Sequence, residues 1–239
     1  MGERLTGTTA VVTGASRGIG RAVARALASN GAKVAMIARG ADALRAAASA
    51  IGSPAIAVPC DISRAESVAD AMHTIASAFG SEPDVLVNNA GTFALAPIDE
   101  IDPDDFGAEL ETGLVAPLRL IRAVLPAMKA RRDGHIVTIG SIADRDVFPG
   151  NATYAPSKHG ARALHEVLRL ETRGSGVRAT LVSPGPVDTP IWDPIDPDHR
   201  SGFTPRALML RPEAVAAAVI FALTQPDDVN IDELRLSRS

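Results

Sequence analysis

The chain has 239 residues, of which 46% are hydrophobic, 22% are charged and only 3% are aromatic, and its net charge is −4 at neutral pH. This length suffices for one large aliphatic core, and the absence of Lys/Arg clusters beyond Arg131 and Arg132 argues against a nucleic-acid partner. The longest apolar run, 214–223, is about half of a membrane span. With a single cysteine, Cys60, and no secretory leader pattern, the composition predicts a cytoplasmic protein without a membrane segment.

Short runs rich in Val, Ile and Ala alternate along the chain with longer segments of helical periodicity. The predicted strands are 8–13, 33–38, 55–58, 84–88, 135–140, 177–183 and 233–236. The predicted helices are 18–30, 42–51, 64–79, 103–130, 153–173 and 212–223. This alternation predicts one α/β domain, 1–239, with a Rossmann-type doubly wound parallel sheet of seven strands between two helical layers. The irregular segment 189–211 follows the carboxyl end of a strand, so we expect it to be a substrate loop.

A glycine-rich turn joins the first predicted strand to the first helix, where residues 13–20 read TGASRGIG. Glycines at such a turn let the backbone approach a pyrophosphate, whose charge the helix N-terminus stabilises. The spacing is G-x-x-x-G-x-G and not G-x-G-x-x-G, so the turn alone leaves alternatives open. One alternative is a plain strand-to-helix turn. The other is the nucleophile elbow of a serine hydrolase, because residues 14–18 also satisfy G-x-S-x-G with Ser16 as the nucleophile.

The only tyrosine of the chain, Tyr154, lies four residues before Lys158 at the start of a predicted helix. Their side chains therefore share one helix face. Ser141 follows the predicted strand 135–140, at the sheet edge where ligands bind. A phenol titrates near pH ~10, but a nearby ammonium favours its phenolate, which makes it a usable acid/base. The three residues predict a site for a carbonyl or alcohol oxygen, with ordinary packing roles as the alternative.

Taken together, these segments resemble a single-domain short-chain dehydrogenase/reductase over nearly the whole chain. The matching motifs, in family order, are 13–20, 61–62, 88–91, Ser141, Tyr154 with Lys158, and 184–189. The resemblance implies that Tyr154 is the general acid/base, that Lys158 holds the nicotinamide ribose and favours the phenolate, and that Ser141 orients the reacting oxygen. The residues assigned to cofactor binding, by this resemblance and by the residue chemistry together, are Gly14, Ser16, Arg17, Gly18, Ile19, Gly20, Arg39, Asp61, Ile62, Asn88, Ala90, Gly91, Tyr154, Lys158, Pro184, Gly185, Val187 and Thr189.

One position departs from the family pattern, because Gly113 stands where the family has a catalytic Asn. Pro117, four residues later, has no N–H to donate to the Gly113 carbonyl, so we expect that carbonyl to be free and the helix to kink. By the resemblance, a backbone carbonyl at this point holds the water that leads protons to Lys158. We therefore expect the water site to survive without the amide, and a Gly113→Asn change to be tolerated.

The end of the second predicted strand distinguishes the two nicotinamide cofactors. NAD-binding folds place an acid there for the ribose 2′-hydroxyl, whereas an arginine accommodates the 2′-phosphate of NADP. This chain has Ala38 where the acid would stand, followed by Arg39, and Arg17 lies in the glycine-rich turn. Two surface arginines would be the alternative interpretation. The sequence favours NADP(H) over NAD(H).

The resemblance implies NADP-dependent interconversion of a small-molecule carbonyl and an alcohol, by a homodimer or homotetramer. Besides the serine hydrolase, a cofactor-sensing or scaffold protein with degraded catalysis is an alternative. We expect the helices 103–130 and 153–173 to pair between subunits through Ala161, Leu164 and Leu168. Two further interpretations concern the substrate, and each has an alternative. Arg145 either receives a substrate carboxylate or forms a local salt bridge with Asp144 and Asp146. Certain loop side chains either wall an apolar pocket or serve in packing. These loop residues are Trp192, Phe203, Leu208 and Met209.

Overall fold

A computed structural model describes residues 4–239 of the chain. Seven parallel strands form one sheet in the order β3-β2-β1-β4-β5-β6-β7. Their bounds are β1 Thr9–Thr13, β2 Lys33–Ala38, β3 Ala55–Pro59, β4 Val85–Asn88, β5 Gly134–Ile139, β6 Val177–Pro184 and β7 Glu233–Leu236. The seven strands and the doubly wound α/β architecture are as the sequence predicts.

The helices cover both faces of the sheet, which is why the central strands are apolar along their whole length. Their bounds are α1 Gly18–Ser29, α2 Ala41–Ile51, α3 Ala65–Phe79, α4 Pro103–Leu110, α5 Ala116–Arg131, α6 Tyr154–Glu171 and α7 Pro212–Leu223. One core cluster packs α1, α2 and α7 against the sheet, and a second packs α3, α5 and part of α6 against the opposite face. Within residues 4–239, no helix combines the length and the apolar character that a membrane crossing requires.

The predicted helix 103–130 is present as one continuous helical stretch, but it is not uniformly α-helical. Between α4 and α5, residues Glu111–Val115 form a π-helical turn, closed by the N–H of Ala116 donating to the carbonyl of Glu111. Pro117 lies in the first turn of α5, where a missing N–H is tolerated. The interruption expected at Gly113 is therefore present as a widened turn.

The strand order reverses between β1 and β4, which is the topological switch point of the sheet. Ligands of open parallel sheets bind outside the carboxyl ends of the strands at such a point. Backbone and side-chain hydrogen bonds lock the two strand ends together here. The Thr13 hydroxyl accepts from the N–H groups of Asn89 and Ala90, each at 3.0 Å.

Candidate active site

A cleft of about 1020 Å³ opens along the carboxyl edge of the sheet, where the loops after strands β1 to β6 meet. Most of the residues predicted from the sequence line it. They are Gly14, Ser16, Arg17, Gly18, Ile19, Arg39, Asp61, Ile62, Ala90, Gly91, Ser141, Tyr154, Lys158, Pro184, Gly185, Val187 and Thr189. Residues that are far apart in sequence thus share one continuous surface, long enough to hold an extended ligand.

Two predicted cofactor residues, Gly20 and Asn88, do not line the cleft. Gly20 is a packing position, because a Cβ there would lie 2.4 Å from the carbonyl oxygen of Gly14. Asn88 is buried at the end of β4, and neither atom of its amide has a hydrogen-bond partner among the described residues. The neighbouring Asn89, which the sequence analysis did not assign, lines the cleft and donates from Nδ2 to the carbonyl of Thr13 at 2.8 Å.

The turn after β1 has the shape of a phosphate cradle. Gly14 and Gly18 adopt positive φ angles of 66° and 55°, which side chains rarely allow. A Cβ on Gly14 would lie 2.9 Å from the amide nitrogen of Asn89, and one on Gly18 would lie 3.2 Å from Thr189. Helix α1 begins at Gly18, so its unpaired N–H groups face the same space. The residues present fit a pyrophosphate-containing dinucleotide.

The end of the cleft that is formed by the loops after β1, β2 and β3 carries two arginines and one acid. Arg17 and Arg39 are exposed at its rim, and among the described residues neither takes part in an ion pair. Asp42, the nearest acid of α2, is engaged by Arg45 at 2.6 Å. Asp61 accepts from the Ser63 hydroxyl at 2.7 Å, and this bond holds the pKa of Asp61 below its ordinary value. This end suits a phosphate beside an adenosine.

Tyr154 and Lys158 meet at the other end of the cleft. The Lys158 ammonium is buried, with only 6% of the residue exposed, and it lies 5.4 Å from the centroid of the Tyr154 ring. It donates to the backbone carbonyl of Ile139, at the end of β5, at 3.2 Å. A buried ammonium needs such partners, because burial of an unpaired charge is costly. The hydrogen bond to Ile139 therefore holds the Lys158 ammonium beside the Tyr154 ring.

Ser141 is held by a buried acid on the next turn. Asp144 accepts from the backbone N–H of Ser141 at 3.3 Å and also from the hydroxyl of Ser183 on β6. The Ser141 hydroxyl caps the same turn by accepting from the N–H of Ala143 at 3.1 Å, and its own hydrogen stays available to a ligand. The loop thus presents Ser141 to the cleft in a fixed position.

Of the two interpretations of Arg145, the structure shows the salt bridge with Asp144 and not a carboxylate site. Its guanidinium is bound to Asp144 at 3.0 Å and to Glu233 at 2.7 Å, and Arg145 does not line the cleft. Both partners raise its pKa, so the charge is permanent and already satisfied. Arg145 ties the Ser141 loop to β7.

The volume beside Gly113 is already filled. A Cβ on Gly113 would lie 2.9 Å from the hydroxyl oxygen of Ser157 and 3.4 Å from Oε1 of Glu109. Ser157 is fully buried, so a side chain at position 113 requires the Ser157 hydroxyl to move. The expectation that Asn is tolerated at position 113 stays a prediction. Glu109, which the sequence analysis did not single out, is a buried acid close to Lys158.

Aromatic side chains wall the space in front of Tyr154. Of the eight aromatic residues of the chain, five line this cleft, and the sequence analysis missed Phe93 and Phe148 among them. The Phe93 ring packs edge-on against Tyr154 at 4.8 Å and against Trp192 at 5.0 Å between centroids. Phe203 extends the series at 6.3 Å from Trp192. Leu208 and Met209, expected in the same wall, do not line the cleft, since Leu208 is exposed and Met209 is buried elsewhere.

Ser16 lacks the partner that a serine hydrolase requires. No histidine lines the cleft within residues 4–239. His135 and His165 are buried against Thr180 and Thr138, and burial lowers the pKa of His135 to about 3 and that of His165 to about 4. Without a base, Ser16 has no means of activation in this structure.

Comparisons with known proteins agree with this arrangement. The family described as short chain dehydrogenase matches residues 8–200. A solved metagenomic short-chain oxidoreductase in complex with NADP is 34% identical, with a TM-score of 0.84 and 99% of both chains covered. An alcohol dehydrogenase from the archaeon Thermococcus sibiricus, complexed with 5-hydroxy-NADP, is 32% identical, with a TM-score of 0.84 and coverage of 96% and 95%. An uncharacterized oxidoreductase of Staphylococcus saprophyticus is 33% identical over 228 residues, 93% of this chain and 92% of that protein.

Proposed function

The chain belongs to the short-chain dehydrogenase/reductase family, and we propose that it is an NADP(H)-dependent oxidoreductase interconverting a ketone or aldehyde with the corresponding alcohol. The observation that carries the proposal is the meeting of Ser141, Tyr154 and Lys158 at one end of a cleft whose other end is the glycine-rich turn. Among residues 4–239, Lys158 is the only ammonium that lines the cleft, and it lies beside the only tyrosine of the chain.

In the reducing direction, Tyr154 donates its phenolic proton to the oxygen of the substrate carbonyl, and in the oxidising direction it takes that proton back. The Lys158 ammonium stabilises the phenolate that remains. Ser141 donates a hydrogen bond to the same substrate oxygen and so holds it beside the phenol. When bound, NADP(H) supplies or accepts the hydride.

The two arginines at the cleft rim support NADP(H) over NAD(H). Arg17 and Arg39 present guanidinium groups without ion-pair partners among residues 4–239 at the cleft rim, and Asp42 is held by Arg45. A 2′-phosphate accepts charge-assisted hydrogen bonds from guanidinium, whereas a 2′-hydroxyl gains little from them. Both solved relatives described above carry an NADP-type ligand.

The chemistry of the substrate end supports an uncharged, aromatic or similarly bulky apolar carbonyl compound. The charged residues that line the cleft within residues 4–239 are Arg17, Arg39, Asp61 and Lys158, and the proposed function assigns all four to the cofactor or to Tyr154. The space in front of Tyr154 is walled instead by Phe93, Trp192 and Phe203. A carboxylate there would be desolvated without a cation to pair with, which is costly.

The test is a substrate panel in which NADPH absorbance is followed with aryl ketones and aldehydes on one side and 2- or 3-oxo acids on the other. We expect turnover of the uncharged aromatic compounds and little turnover of the acids. Trp192→Ala should raise KM for aryl ketones more than for a small aliphatic aldehyde, because it removes stacking surface. Turnover of the acids in preference would overturn the substrate class.

A cofactor-sensing protein without catalysis is the second candidate, and the observation that favours it is Gly113 in place of the family Asn. The same panel separates the two. NADPH binding without oxidation by any carbonyl compound would support the sensor.

We also propose that the protein is a homodimer or homotetramer formed through α5 and α6. The residues expected at that interface need correction, because Ala161 and Leu168 are buried within the subunit and Leu164 packs on its core. The outward apolar residues are instead Leu118, Val167 and Leu170. Light scattering at micromolar concentration should give at least twice the 24.8 kDa chain mass. A monomer mass would reject the proposal.

A further inference from the structure

Glu109, on α4, is a buried acid that does not line the cleft, and the mechanism above gives it no role. Only 4% of the residue is exposed. Its Oε2 accepts from the hydroxyl of Thr92, in the loop after β4, and its Oε1 lies 3.2 Å from the hydroxyl oxygen of Ser157 on α6. Acids are seldom buried so completely unless they are paired, and within residues 4–239 Glu109 has no ion pair.

A count of hydrogens indicates which form Glu109 takes. The Ser157 hydroxyl lies within hydrogen-bond distance of two acceptors, the Tyr154 carbonyl at 2.9 Å and Glu109 at 3.2 Å. A serine carries one hydroxyl hydrogen, so it can donate to only one of them. If it donates to the closer Tyr154 carbonyl, the second contact is satisfied when Glu109 is protonated and donates to Ser157. The network is then complete with a neutral carboxylic acid.

The charged group that faces Glu109 is Lys158, on the same helix as Ser157. From the loop after β4 it faces the neutral Thr92, and across the π-helical turn it faces Gly113, which has no side chain. Burial raises the pKa of Glu109, whereas the Thr92 hydrogen bond and the Lys158 charge oppose that rise. The net direction is upward, so burial favours the carboxylic acid over the carboxylate more than water does.

The absence of a side chain at Gly113 leaves room for the contact between Glu109 and Ser157. A side chain at position 113 would collide with Ser157 and approach Glu109, so the hydroxyl and the carboxyl occupy the volume that a larger residue would take. The loss of the family Asn and the presence of a buried acid one turn earlier therefore belong to one local structure.

We propose that Glu109 is a proton-exchanging positioning residue, whose change between carboxylic acid and carboxylate sets the charge next to Lys158 and so tunes the Tyr154 phenol. This inference rests on the proposed function for its effect on rate, but the protonation of Glu109 itself does not. The carboxylate would offset part of the Lys158 charge and disfavour the phenolate. The neutral acid leaves the Lys158 charge undiminished.

The first experiment reads the carboxyl group directly, without substrate. Infrared difference spectra of the full chain, recorded across a pH titration, should show the C=O band of a buried carboxylic acid that disappears as pH rises. Glu109→Gln and Glu109→Met should lack that band. Glu111→Gln is the matched control, because Glu111 is a partly exposed acid of the neighbouring turn that pairs with Arg119. The control should keep the band.

The second experiment follows the rate of alcohol oxidation against pH with NADP⁺, since this direction requires Tyr154 to accept a proton. Both neutral variants should move the rise in rate to lower pH by about one pH unit, the size of effect that a nearby charge produces. KM for the alcohol should change by less than about twofold, because Glu109 does not line the cleft. Glu111→Gln should superimpose on the wild type.

Two results would overturn the proposal: a wild-type spectrum whose carboxyl bands are unchanged in Glu109→Gln, or a rate profile that the neutral variants leave in place. Agreement between the Gln and Met variants would show that the charge of Glu109 matters and not one hydrogen bond.

If no alcohol is oxidised, the proposed function fails, and the pH dependence of NADPH affinity then becomes the measured quantity in place of the rate. That affinity should change with the carboxyl titration in the wild type by a step that Glu109→Gln lacks, and parallel curves would reject the inference.

Discussion

Replacing Arg39 by Ala should change the cofactor preference more than any other property of the protein. Arg39 is exposed at the cleft rim, has no ion-pair partner among residues 4–239 and lies on the loop after β2. Its removal therefore leaves no buried group unsatisfied, and the fold should be unaffected. A hydrogen bond to a charged group contributes about 1.5–3 kcal/mol. NADPH affinity should fall by about ten- to a hundredfold.

The assay is a titration of NADPH and of NADH, followed by the fluorescence of the nicotinamide, for the wild type and for Arg39→Ala. NADH affinity should change by less than about twofold, because a 2′-hydroxyl makes no charge-assisted bond. Arg21→Ala is the matched control, since Arg21 is an exposed arginine of α1 that does not line the cleft. Equal weakening of both cofactors in Arg39→Ala would refute the reasoning and make Arg39 a structural residue.

Two further predictions concern stability. The pKa values of His135 and His165, about 3 and about 4, lie below the ordinary value, so below about pH 6.5 the unfolded chain binds protons that the folded one does not. Unfolding free energy should fall by about 2 kcal/mol for each histidine between about pH 6.5 and 5. Urea titrations check this, with the exposed His199→Gln as control, and a flat profile would contradict it. Gly113→Asn should cost about 1–3 kcal/mol by overpacking against Ser157, read as a lower Tm, and an unchanged Tm would show that Ser157 can move aside.

The sheet and the cleft were predictable because their signals are local. Apolar runs such as Val34–Ala38 continue without alternation, which indicates strands covered on both faces. The glycine-rich residues 13–20 lie between the first such strand and the first helix. Parallel strands then bring their carboxyl ends to one edge. Ser141, Tyr154 and Lys158 share the cleft for that reason.

The interior of the site was not predictable in the same way. Glu109 reads as a solvated acid of a helix, and only the packing of α4 against α6 brings it to Ser157. The same applies to Leu168, whose helical spacing does not tell which face meets the core. Arg145 is adjacent to Asp144 in sequence, but its pairing with Glu233 joins the loop after β5 to β7, the last strand of the chain.

The most direct test of the proposed function compares Tyr154→Phe with the wild type in NADPH-dependent reduction of an aryl ketone. The substitution keeps the ring that packs on Phe93 and removes the group that gives its proton to the substrate oxygen. Loss of a positioned acid/base typically lowers the rate by about 10²–10⁴-fold. We predict that kcat falls within that range while NADPH affinity changes by less than about twofold, since the ring packing is preserved. A Tyr154→Phe variant that reduces the ketone at the wild-type rate would contradict the account.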